Sequence, residues 1–122
     1  MMKNTETQLF HFELGIPKIA QTKIGTIQLR YSMHAERAAR SDRYGNISLP
    51  QDLDTNSAQV IEVEMRGRFT LKVVYRVKYN ESADLVLVVL PENGMVKTVW
   101  LNLNSDLHRT LDASKYVNLK NT

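Results

Sequence analysis

The sequence has no cysteine, which excludes a disulfide framework and any thiolate metal site and is compatible with the cytoplasm. No apolar run approaches membrane-spanning length, and the opening Met-Met-Lys-Asn-Thr-Glu-Thr-Gln lacks the apolar stretch of a signal peptide. A cytoplasmic protein with no membrane partner is therefore expected. No segment has the glycine or serine bias of an interdomain linker, so 1–122 reads as a single domain, with the polar residues 1–8 expected to be disordered. The three histidines, at 11, 34 and 108, are scattered and have no closely spaced carboxylate cluster, so no zinc site is expected. There is also no P-loop, no dinucleotide-type glycine repeat and no nucleophile elbow around a serine.

What is present is ordinary in amount and distinctive in pattern. An apolar fraction of 43% is enough for one compact core. Sixteen cations against thirteen anions give a net charge of only +3, so what matters is where the cations cluster. They cluster in 68–79, Arg-Phe-Thr-Leu-Lys-Val-Val-Tyr-Arg-Val-Lys-Tyr, whose residues alternate apolar and polar. Successive strand residues point to opposite sides, so Phe69, Leu71, Val73, Tyr75, Val77 and Tyr79 form an apolar face and Arg68, Thr70, Lys72, Arg76 and Lys78 a polar, mostly basic one.

The flanking segments read as its partners. Val60–Met65 alternates in the same way, and matching its apolar face to that of 69–79 selects a three-residue turn at 66–68, with Met65 across from Phe69 and Glu62 across from Lys72. Lys72 is then either a phosphate ligand or one half of a cross-strand ion pair. Arg76 finds no such partner on that strand. Leu85–Leu90 is apolar throughout, as in a central strand covered on both faces, and the chain returns as Met95–Leu101. Whether Thr98 shares the face of Lys72 and Arg76 depends on the 80–84 turn.

Upstream, Leu9–Leu14 and Gly25–Arg30 read as strands, with His11 taken as a packed or edge-exposed ring. Ser32 caps a helix expected over 33–44, rich in alanine and stopped by Gly45-Asn46. Its Arg37 and Arg40 either grip phosphate or form a solvated face balanced by Glu36 and Asp42. Residues 47–57 read as a connector rich in turn formers, which could form a mobile flap. In the tail, Asp106 and His108 suit an acid-oriented imidazole or backbone-satisfying turns, and Asp112 can cap a last helical turn. The expected fold is α+β: a four-stranded antiparallel meander with one main N-terminal helix packed on it.

In order along the chain come His34-Ala-Glu-Arg37 opening a helix, Lys72 and Arg76 on strands, the closing Lys97-Thr-Val-Trp-Leu-Asn102, then His108, Thr110-Leu-Asp112 and Tyr116. This layout over 31–116 resembles the small ribonuclease toxins, the broad group of barnase, colicin-type nuclease domains and RelE-type toxins. The resemblance implies metal-independent RNA cleavage by 2′-hydroxyl attack, with no cofactor and with a protein inhibitor as a possible partner. His34 or His108 would be the general acid/base, Lys72 and Arg76 would hold the phosphate, and Thr98 would donate a hydrogen bond. Arg37, Arg40, Arg68, Lys78 and Lys97 would supply further nucleic-acid contacts. Two departures stand against it: no glutamate is clearly placed as a base on the sheet, and the net charge is low. The alternatives are a non-catalytic module that holds nucleic acid or protein on the basic face, and an interaction protein that dimerises through an exposed sheet edge.

Overall fold

The computed structural model describes residues 6–21, 25–105 and 112–121. Nine elements organise them: β1 (Thr7–His11), β2 (Thr26–Gln28), β3 (Arg30–Tyr31), α1 (Met33–Arg40), β4 (Asp52–Asp54), β5 (Gln59–Arg66), β6 (Phe69–Lys78), β7 (Ala83–Leu90) and β8 (Met95–Leu103). Thr7 and Gln8, expected to be disordered, belong to the first strand.

The main sheet has six strands in the order β1-β5-β6-β7-β8-β3, and its last pairing, β3 with β8, is parallel. A four-stranded, wholly antiparallel meander is therefore the wrong architecture. The hairpin-linked strands β5 to β8 form the interior of a wider mixed sheet, and two short segments from the N-terminal third close its flanks. The residues read as a flap supply β4, which pairs with β2 in a separate two-stranded sheet. At Leu29 the chain changes partners: its amide donates to Gln51, and the next amide, of Arg30, donates to Gly94. Gly94 (φ +73°) permits this crossing, because a Cβ there would lie 2.1 Å from the Gln28 carbonyl oxygen.

The β5–β6 register also departs from expectation. Arg66 pairs with Phe69, leaving a two-residue turn in which Gly67 alone has a positive φ (58°), the pattern of a type II′ hairpin. The parity mismatch is absorbed further on, where Glu64 faces Lys72 and Met65 faces Thr70, so Leu71 is an extra, bulged residue. Alternation thus holds from Val73 onward and fails before it. Phe69 lies opposite Arg66 and is 74% exposed, whereas Val73 and Tyr75 are buried.

One face of the sheet carries the main core, in which Val63, Val73, Leu87 and Val89 pack with Ala35 and Ala39 of α1. Ser32 caps α1 by accepting the Ala35 amide hydrogen at 3.0 Å, and it ties the helix to β8 through the Lys97 carbonyl at 3.0 Å. The helix stops at Arg40, short of the expected 44, because Asp42 turns its carboxylate onto the amides of Tyr44 and Leu101. The second face, that of Val74, Val86 and Val88, forms a smaller cluster with Ile61. Among the described residues no helix is long and apolar enough to cross a membrane.

Candidate functional site on the second sheet face

Pairing decides which side chains meet on the second face. Val86 pairs with Arg76 on one neighbour and with Trp100 on the other, giving a row Arg76–Val86–Trp100 across three strands. The next row is Val74–Val88–Thr98. Thr98 therefore shares the face of Lys72 and Arg76, and a bulge at Lys97 on β8 keeps Val96 in the core on the other side.

At the far edge, His11 pairs with Glu62, so these two also sit side by side. A C-terminal strap then closes the edge. Val117 donates to the Leu9 carbonyl at 2.9 Å and Leu119 to that of Leu14 at 3.0 Å, which brings Tyr116 over Glu62. The strap starts at Asp112, whose carboxylate accepts from the Ser114 amide and hydroxyl and caps a short 3-10 turn, Ala113–Lys115. These bonds hold the Asp112 carboxyl below its usual range.

Between strap and sheet lies a cavity of about 360 Å³. Its floor is the aliphatic cluster, and its polar walls are His11, Glu62, Lys72, Arg76, Asp112, Lys115 and Tyr116, with Trp100 on the rim. Tyr116 donates to Glu62 at 2.6 Å, and Lys72 approaches Glu62 at 3.3 Å and Glu64 at 3.6 Å. Burial, reinforced by the neighbouring carboxylate, pushes the Tyr116 phenol up to about 12, so it remains a proton donor at ordinary pH. His11 is only 4% exposed, accepts the Glu13 amide hydrogen on Nδ1 at 3.2 Å, and lies edge-on to Tyr116 with ring centres 5.2 Å apart. With Nδ1 occupied as an acceptor, the proton of the neutral ring is on Nε2. Arg76 donates to Asp84 at 2.7 Å and to the Leu103 carbonyl at 3.3 Å. The expected basic face is consequently lined with its own counter-charges.

The remaining residues singled out in the sequence are dispersed. His34, Arg37 and Arg40 are exposed on α1, which packs on the opposite side of the sheet from Lys72 and Arg76. No catalytic centre joins His34 to those two cations. Lys97 is exposed on the β8 bulge, and Lys78 is exposed at the end of β6, 3.9 Å from Glu81. Arg68 lines a separate hollow of about 660 Å³ beside Phe69 and Ile19. That hollow is larger but has neither imidazole nor lysine in its lining, so the smaller cavity is the chemically richer one. His108 lies outside the described residues.

Six polar or aromatic members of the cavity were not marked as site residues in the sequence: His11, Glu62, Asp112, Lys115, Tyr116 and Trp100. Only parity carried a signal. In an alternating strand His11 points away from the side of Phe10, as Glu62 points away from that of Val63. Among the described residues no three His, Asp or Glu side chains gather as metal ligands. No protein-family model matches the chain, and no curated protein and no solved structure is significantly similar to it.

Proposed function

We propose that the protein is a metal-independent endoribonuclease, of toxin or mobile-element type, that acts on cytoplasmic RNA in the cavity of the second sheet face. The single observation that carries this reading is the grouping in one cavity of an imidazole, two carboxylates, a high-pKa phenol and three cations. RNA supplies its own nucleophile: the 2′-oxygen attacks the adjacent phosphorus, a base takes its proton, and the P–O5′ bond breaks as an acid protonates the leaving oxygen. The products are a 2′,3′-cyclic phosphate and a 5′-hydroxyl, with no water or metal consumed. Glu62 fills the base role in this scheme and the Tyr116 phenol, which keeps its proton at ordinary pH, the acid role, while Lys72 and Arg76 stabilise the charge growing on the phosphoryl oxygens. Thr98, on the same face, adds a hydrogen-bond donor. A nuclease of this kind requires a protein inhibitor in the cell that makes it.

The glutamate missing from the sequence-level resemblance has a candidate in Glu62. The ion pairs of Lys72 and Arg76 favour a second reading, in which the same face holds RNA without cutting it. Incubating the protein with labelled RNA in excess chelator separates the two. Cleavage that disappears in Tyr116→Phe and Glu62→Gln, with folding intact by circular dichroism, supports the nuclease; RNA left whole at high protein concentration removes it.

A further inference from the structure

We infer that the cavity is a nucleobase subsite for single-stranded RNA, with Trp100 as the stacking platform and Arg76 facing the attached phosphate. The inference rests on the RNA reading above, but not on catalysis. Trp100 lies in the middle of β8, where its neighbours Val99 and Leu101 are buried in the main core. The indole itself points to the other face and is 38% exposed at the cavity rim. A large aromatic ring left open beside a buried aliphatic floor offers a flat apolar surface, the requirement for stacking an unpaired base.

Arg76 stands at the matching distance. Arg76 is in the same cross-strand row, two strands away, which is roughly 10 Å from inter-strand spacings alone. Its bonds to Asp84 and Leu103 hold the guanidinium plane while leaving it in the cavity wall. A base on Trp100 therefore directs its sugar-phosphate toward a fixed guanidinium. A volume of about 360 Å³ is at the small end for ligand pockets, which suits one nucleotide unit. A base inside a duplex cannot offer its face to the indole, so the substrate class is single-stranded, and stacking makes it tolerant of sequence.

Trp100 is the only tryptophan in the chain, so its emission reports directly on the subsite. The probe is a short oligoribonucleotide, 2′-O-methylated throughout, which cannot undergo 2′-hydroxyl attack. Saturable quenching of the emission is expected. Anisotropy of the labelled probe should show Trp100→Leu binding about 5- to 150-fold more weakly, with Trp100→Phe in between. Binding of the probe with unchanged emission, equal affinity of Trp100→Leu and the parent, or no binding at all would each overturn the inference. Unmodified RNA assayed in parallel keeps the two readings apart: quenching without cleavage leaves the subsite and removes the nuclease, and cleavage without quenching does the reverse.

Discussion

Arg76 and Lys72 occupy the same strand face, yet their surroundings differ. Arg76 is the more buried and holds Asp84 at 2.7 Å, so Arg76→Ala strands a half-buried carboxylate and should cost about 2 kcal/mol in urea unfolding. Lys72 shares two partly exposed glutamates, and Lys72→Ala should cost less than about 1 kcal/mol in the same measurement. Equal losses for the two would refute this ranking. Gly94 is constrained by space as well as by its positive φ. Gly94→Ala drives a methyl into the Gln28 carbonyl, and a loss of at least about 2 kcal/mol is expected, with the β2–β3 crossing the part that must move. At this scale the sequence showed which residues were charged or conformationally free. It could not show that Asp84 rather than a β5 residue would meet Arg76, because diagonal contacts depend on register.

At the scale of elements, β6 shows how far alternation reaches. From Val73 to Val77 the expected apolar face is inward, and the bulge at Leu71 ends the pattern because the type II′ turn leaves the two strands one residue out of step. β3 is joined to the segment before β4, and the following helix to β8, by side chains whose roles no periodicity reveals. Tyr31, for instance, donates from its hydroxyl to the Pro50 carbonyl and has its phenol pushed by burial to about 12 from an ordinary 10.0. The unfolded chain therefore loses this proton first as pH rises. Stability from Tyr31 is intact below about pH 10 and is lost progressively toward about pH 12, and Tyr116, raised to a similar value, acts in the same window. Thermal midpoints should be nearly flat with respect to tyrosine ionisation below pH 10 and then fall. In Tyr31→Phe the fall should be shallower, and an unchanged slope would show that Tyr31 ionises equally easily in both states.

Over the whole molecule, both flanks of the six-stranded sheet are partly occupied among the described residues. The 117–119 strap bonds to Leu9 and Leu14 beside β1, while β3, Ser32 and Asp42 take up groups along β8. Dimerisation through a bare edge, one of the readings open to the sequence, thus has a reduced template, and light scattering should report a monomer across a wide concentration range. The same coverage explains why the sequence-level site was only partly legible. Lys72, Arg76 and Thr98 come together because they belong to contiguous hairpins, whose pairings are local. His11 and Tyr116 reach the same cavity from near opposite ends of the chain, through pairings of β1 and the strap that leave no short-range mark.

The strand character of 60–65 and 68–79, the unbroken apolar run of 85–90 and the alanine-rich stretch behind Ser32 were set by composition and period, because a strand has two sides and a capped helix needs only its own residues. Sheet order, the parallel closure by β3, the bulges at Leu71 and Lys97 and the membership of the cavity were decided only in three dimensions. Each depends on which distant segment satisfies an edge or fills a face, and that choice is made by the packing of the whole chain.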